Sequence, residues 1–208
     1  GRLASSQTGI TREQLNSWED EIATLILALN RVRSVVSASG SWLLHFEYQM
    51  LRLQRRIDVV LLASNILFVM EFKSGSENFP SADRRQAEDY AFDLRDFHSE
   101  SGAKIIVPFL CATESKTNNG VSIAVHDQVS NLFLANRESL ARQILAVWSA
   151  LGDEKTATSP TWDTASYRPV PSIIKTAQQL YGAHSVMEIH EALSGRKNLR
   201  ETSDRLIH

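Results

Sequence analysis

The chain has 208 residues and a formal net charge of −2, enough for one good-sized domain, alone or with a small helical appendage. Its single cysteine, Cys111, excludes an internal disulfide and a zinc site built on cysteines. The net charge is not that of a strongly basic nucleic-acid binder. No apolar run approaches the roughly 20 residues that cross a bilayer, and the first residues do not resemble a signal peptide. We therefore expect a cytoplasmic protein that makes no membrane contact.

The first half of the chain predicts a helix followed by three strands. Thr11 and Gln14 match a capping box for a helix over residues 11–30. Apolar residues at helical spacing predict its buried face: Leu15, Trp18, Ile22, Leu25, Ile26 and Leu29. Residues 42–50, 56–62 and 66–73 are apolar segments joined by short connections, which is typical of an antiparallel meander.

The second half predicts further elements on the same sheet. Residues 82–98 have a helical pattern, 104–112 are apolar enough for a strand buried on both faces, 121–125 could add a short strand, and 137–151 form a helix. The fold class is therefore α/β, a mixed central sheet flanked by helices. We expect a core domain over 11–151, a loop or linker over 152–171, and a helical C-terminal extension over 172–208.

Three charged residues interrupt the two most apolar strands of the meander. Asp58 lies between Ile57 and Val59, and Glu71 and Lys73 lie near the end of the next strand. Side chains two residues apart share one face of a strand, and a short turn brings Asp58 beside Glu71. The three could instead form a solvated face of an edge strand. Burying charge is costly unless it is paired or bound to metal, which favours a functional site.

This group has the chemistry of phosphodiester hydrolysis. Two close carboxylates suit a hard cation such as Mg²⁺ or Mn²⁺, which polarises a phosphate and lowers the pKa of a water. Lys73 could orient or deprotonate that water and offset charge in the transition state. The backbone carbonyl of Phe72 could complete the metal shell.

The pattern of Asp58 with Glu71-Phe72-Lys73 thirteen positions later resembles the PD-(D/E)XK nucleases. Ile57 stands where the family name has proline. The resemblance covers roughly residues 11–125 and implies a restriction-endonuclease-like core: a helix, a three-strand meander, a helix and a fourth strand. It also implies a metal-dependent nuclease that acts on DNA, with RNA left open.

The same resemblance implies that a glutamate of the first helix completes the metal site. Glu19 fits best, because Ile22 and Ile26 follow at the expected offsets of three and seven positions. Glu21 is the second choice, and Glu47 in the following strand is the third. Asp20 is expected to point away from the apolar face. The alternative is an acidic patch that suits the helix dipole.

The helix after Lys73 adds a second family feature. Gln86 and Tyr90 resemble the Q-x-x-x-Y element of RecB-like nucleases, and a spacing of four puts them on one helical face. The resemblance gives them a role in flanking the site. The wider run around these motifs resembles the N-terminal nuclease domain of bacterial proteins that continue into a P-loop ATPase or helicase. That implies a DNA repair or antiphage defence setting and a downstream helicase partner.

Basic residues occur on both sides of the candidate site. Arg52, Arg55 and Arg56 precede the Asp58 strand, and Arg84 and Arg85 precede Gln86. They could contact phosphates without reading sequence, or they could be ordinary surface charges. A homo-oligomer is compatible with the sequence. The alternative functions are a non-catalytic nucleic-acid-binding or assembly module with a nuclease fold, and a nuclease directed at RNA.

Overall fold

The computed structural model describes residues 12–50, 54–117 and 120–166, which form an α/β domain. Its helices are α1 (Arg12–Val35), α2 (Ser81–Phe97) and α3 (Leu140–Leu151). Its strands are β1 (Leu43–Met50), β2 (Arg55–Ala63), β3 (Ile66–Lys73), β4 (Ile105–Ala112), β5 (Val125–His126), β6 (Val129–Ser130) and β7 (Phe133–Ala135). The predicted α/β class, with a mixed sheet flanked by helices, is confirmed for these residues.

The sheet has the strand order β1-β2-β3-β4-β6-β5, and β7 also pairs with β4. Strands β1, β2 and β3 form the predicted antiparallel meander. Strand β4 runs parallel to β3, which requires a long crossover connection, and α2 lies within that crossover. Strands β2, β3 and β4 therefore occupy the centre of the sheet, and β1 forms one edge.

The helices cover both faces of the sheet. On β3, Phe68 and Met70 belong to the apolar cluster that includes α1 and α3, whereas Leu67 and Val69 belong to the cluster that includes α2. This alternation follows from the two-residue period of a strand. Because β3 is covered on both sides, a charged side chain near its end lies in an otherwise apolar environment.

The buried face of α1 differs in part from the prediction. Leu25, Ala28 and Val32 are buried, whereas Ile22 and Ile26 are 42% and 54% exposed. Helix α1 carries apolar residues on two sides, so periodicity alone does not decide which side packs. The side with the small Ala28 is the one that contacts the sheet.

The predicted strand over 121–125 is wrong in extent, because only Val125 of that range is in a strand. Strands β6 and β7 were not predicted at all. With two and three residues, they are too short to show the alternation by which strands are recognised.

The stretch predicted as a linker, 152–171, packs against the domain as far as it is described. Trp162 is fully buried in the cluster under α2, and its Nε1 donates a hydrogen bond to Ser101 Oγ at 3.0 Å. The segment has little regular structure, as its composition indicates, but Trp162 anchors it. Thr11, Arg52 and the predicted C-terminal extension lie outside the described residues.

Within the described part of the chain, no helix combines the length and apolar character needed to cross a bilayer.

Candidate functional site

The pairing between strands β2 and β3 ends beside the charged residues. Their ladder runs as far as the pair Val59 and Met70. Beyond it, β2 continues to pair only with β1, and β3 only with β4. Asp58 and Glu71 are the next residues on the two strands, so they flank this opening, which we call the fork.

Asp58 occupies the hydrogen-bonding position that β2 leaves empty. The backbone N–H of Phe72 donates to Asp58 Oδ2 at 2.8 Å. A buried N–H without a partner would cost free energy comparable to a lost hydrogen bond. The carboxylate therefore replaces a ladder carbonyl and is held at the fork.

Glu71 is a buried carboxyl group beside a second one. Only 5% of the surface of this residue is exposed to solvent. Burial, together with the negative charge of Asp58, raises the pKa of Glu71 to about 8, and burial also raises the pKa of Asp58. Glu71 Oε2 is buried and accepts no hydrogen bond from the described residues. The pair therefore favours a bound proton or a bound cation over two free negative charges.

Lys73 lies between two acids. Its Nζ is 3.1 Å from Glu71 Oε1 and 3.5 Å from Asp83 Oδ1. Burial alone would lower the pKa of Lys73, but the two carboxylates outweigh it and raise that pKa. The sequence reasoning missed Asp83. Its position three residues before Gln86 puts it on the same face of α2, which was the signal that could have found it.

Gln86 and Tyr90 meet at Glu71, on the helical face that their spacing predicts. Gln86 Nε2 donates to Glu71 Oε1 at 2.9 Å and to Tyr90 Oη at 2.7 Å. This places one amide between the buried carboxyl and the tyrosine. Helix α2 therefore fixes the orientation of Glu71 as well as packing on the sheet.

Helix α1 presents Glu21, not Glu19, to the fork. Glu19 is exposed. Glu21 is half-buried, and burial together with the charge of Asp58 raises its pKa to about 7. Thr24 and Ala28, three and seven positions after Glu21, are buried, whereas the apolar residues at the same offsets from Glu19 face outward. The structure therefore places Glu21 rather than Glu19 near Asp58, because the buried side of α1 only partly coincides with the predicted one.

Asp20, which was expected to point away from the predicted apolar face of α1, makes contacts with two other parts of the chain. Its Oδ2 accepts a hydrogen bond from Ser74 Oγ at 2.6 Å, and its Oδ1 accepts one from Arg137 at 2.6 Å. These donors outweigh the effect of burial and lower the pKa of Asp20. Ser74 follows Lys73 directly, so this contact ties α1 to the end of β3.

Glu47 lies beside Asp58 on the other side of β2. Its neighbours Phe46 and Tyr48 pair with Val59 and Ile57, and it has a left-handed φ of 52°. For a residue other than glycine this conformation costs about 1–3 kcal/mol. Burial raises the pKa of Glu47, while its ion pair with Arg56 opposes that rise. A strained acidic residue next to Asp58 adds a third carboxyl group to this region.

Four of the five arginines expected to contact phosphates lie in the described residues, and their surroundings differ. Arg55 pairs with Asp93 at 2.8 Å, and Arg56 pairs with Glu47. Arg84 Nε donates to the Phe79 carbonyl at 2.9 Å, and Arg85 is exposed. The charges of Arg55 and Arg56 are therefore partly compensated, which weakens the argument that they attract phosphate.

The atoms at the fork that could coordinate a metal ion are oxygens, which suit Mg²⁺ or Mn²⁺. No group of three His, Cys, Asp or Glu side chains among the described residues has the closeness of a complete metal site. Two carboxylates and main-chain oxygen are a sufficient protein contribution for Mg²⁺, which usually keeps several waters. The buried Glu71 Oε2 without a donor fits such a cation.

No family model matches this chain, and neither a curated protein nor a solved structure does.

Proposed function

We propose that this chain is a nuclease domain with a restriction-endonuclease-like core, of the PD-(D/E)XK type and its RecB-like branch. The observation that carries the proposal is the fork, where Asp58 and Glu71 meet in a buried place with Lys73 beside them. An apolar sheet that only needed stability would gain by replacing these charges, because unpaired buried carboxylates are costly. Their retention is understandable if they hold a cation and a substrate phosphate.

Asp58, Glu71 and the Phe72 carbonyl are the groups we assign to holding Mg²⁺ or Mn²⁺. A bound ion would supply Lewis-acid stabilisation of the phosphate and a more acidic water. The chain itself supplies the orientation. The Phe72 N–H fixes Asp58, Gln86 fixes Glu71, and both contacts reduce the freedom that the two carboxylates would otherwise lose on binding.

Lys73 contributes positive charge at the fork. With two carboxylates around it and a raised pKa, its ammonium group is protonated near neutral pH in the absence of substrate. An ammonium held there can stabilise negative charge that develops on a phosphate oxygen. Helix α1 adds Glu21 as the acid we propose to complete the site.

DNA is the substrate we propose, and the resemblance to nuclease–helicase proteins makes DNA repair or antiphage defence the setting. The test is incubation of plasmid, single-stranded and branched DNA with Mg²⁺ or Mn²⁺, with matching RNA substrates in parallel. We expect cleavage of DNA that EDTA abolishes. Asp58→Asn and Lys73→Met should each lower the rate at least about 100-fold, since even residues that only orient metal ligands contribute 10- to 100-fold.

The matched controls are Asp96→Asn and Lys155→Met, which remove the same charges at exposed positions and should cleave like the wild type. Cleavage of RNA alone would move the substrate class to RNA. Binding without cleavage of any substrate would favour the non-catalytic binding module. Undiminished cleavage by both site variants would exclude the fork as the active site.

A further inference from the structure

A cleft of about 720 Å³ lies between α1 and the beginning of α3, outside the fork. Arg31 lines it from α1, Lys116 from the segment after β4, and Arg142 from α3. The lining contains one acid, Glu138. Three cations against one anion make the cleft locally positive in a protein whose net charge is −2.

The segment after β4 that carries Lys116 is hydrogen-bonded to the end of β3 and to the turn that follows it. The N–H of Thr113 donates to the Lys73 carbonyl at 3.2 Å, and the N–H of Glu114 donates to the Ser76 carbonyl at 3.0 Å. Lys116 follows two residues later. The cleft and the fork therefore lie at the same edge of the sheet, and a bound chain could pass from one to the other.

The charge of the cleft comes from side chains rather than from the end of α3. Asn136 Oδ1 already accepts hydrogen bonds from the N–H groups of Glu138 and Ser139, so these donors are occupied. The lining has no aromatic residue on which a base could stack. Long, flexible cations without stacking platforms suit phosphates rather than bases.

We propose that this cleft binds the phosphate backbone of one nucleic-acid strand and directs it toward the fork, without reading its sequence. The inference rests on the proposed function and adds a binding site to it. Lysine and arginine contacts of this kind release counterions, so their contribution is strongly dependent on salt.

The test is binding of a labelled oligothymidylate by fluorescence anisotropy, in EDTA so that cleavage does not interfere. The variant is Arg31→Ala/Arg142→Ala. Each single-strand phosphate contact contributes about 0.7 to the slope of log K against log salt, so the slope should fall by about 1.4. Affinity at 0.1 M salt should fall about tenfold or more, and an oligomer of mixed sequence should show the same losses.

The matched control is Arg33→Ala/Lys155→Ala, which removes two exposed positive charges outside the cleft. It should change the salt slope much less. Lys116→Glu provides an independent variant, since it reverses the charge on the opposite wall. Circular dichroism establishes that each variant is folded.

The outcomes separate the cleft from the active site. If the wild type cleaves DNA and the cleft variants bind like the control, the cleft proposal is overturned while the nuclease proposal stands. If the wild type binds but does not cleave, and the cleft variants lose binding, the cleft proposal stands without the nuclease. The same titration with a labelled DNA duplex tests the assignment to one strand: cleft variants that lose affinity for the duplex but not for oligothymidylate would overturn it.

Discussion

At the scale of single residues, the fork holds charged groups where the surrounding sequence is apolar. Glu71 has lost most of its contact with water, and its neighbour Asp58 carries the same charge. The nearby donors, Gln86 and Lys73, both reach Oε1 and leave Oε2 without one. In the free protein, a proton bound below about pH 8 relieves the repulsion between the two carboxylates.

The pH dependence of stability follows from this imbalance. In the unfolded chain Glu71 titrates near 4.5, whereas in the folded protein its pKa is about 8. The folded state binds more protons between these values, so the free energy of unfolding falls as pH rises. Glu21, with a pKa of about 7, acts in the same direction. Urea unfolding in EDTA between pH 6.5 and 8.5 should show the decline.

The lower limit of pH 6.5 avoids an opposing effect. Burial lowers the pKa of His98 from its usual 6.5, so its protonation in the unfolded chain reduces stability mainly below pH 6.5. Glu71→Gln should flatten the decline above 6.5, and Glu19→Gln should keep it. Stability that rises with pH across this interval would contradict the account of the carboxyl pair.

At the scale of secondary-structure elements, α1 shows how far the sequence could be interpreted. Its helical character and the presence of an acid near the fork were predicted, but its buried side only partly coincides with the expected one: Leu25 is buried, whereas Ile22 and Ile26 are exposed. Glu19 and Glu21 lie about 200° apart around a helix with 3.6 residues per turn. The choice between them depends on tertiary packing, which periodicity does not contain when both sides are apolar.

A pair of matched variants tests the orientation of α1. Glu21→Gln should lower the rate of DNA cleavage about 10- to 100-fold, because it removes a carboxylate that faces Asp58. Glu19→Gln should leave the rate unchanged, because Glu19 is exposed. Steady-state cleavage at fixed Mg²⁺ is the measurement. Equal effects of the two substitutions would mean that α1 contributes no specific ligand.

The meander was predictable and the fork was not. Strands β2 and β3 could be recognised from their apolar segments, and the side-by-side placement of Asp58 and Glu71 follows from a short turn. That the two strands separate at this point is a property of their pairing with β1 and β4. The contact of Asp20 with Ser74 likewise joins distant parts of the chain, and no local pattern encodes it.

At the scale of the whole molecule, the described domain extends beyond the predicted boundary at residue 151. Trp162 lies in the cluster under α2, with its ring 4.5 Å from the ring of His98. The sequence did not indicate this contact, because one tryptophan among many small polar residues hardly changes the mean hydropathy of segment 152–171. The segment should therefore contribute to the stability of the described domain.

Trp162→Ala tests that contribution. Removing a fully buried tryptophan should lower the free energy of unfolding by about 3–5 kcal/mol, through lost burial and the cavity left behind. Urea denaturation followed by circular dichroism measures it. Ile26→Ala, at an exposed position on α1, is the control and should change stability by less than about 0.5 kcal/mol. A loss below about 1 kcal/mol for Trp162→Ala would indicate that the segment is a linker after all.

The hydrogen bond from Phe72 to Asp58 also makes one amide an internal reporter. Most amides of a central strand are protected by a neighbouring strand and exchange with deuterium only when the sheet opens. The Phe72 amide is protected instead by a side chain that can rotate while the sheet stays intact. Its exchange rate would therefore follow the movements of Asp58 alone, separately from unfolding.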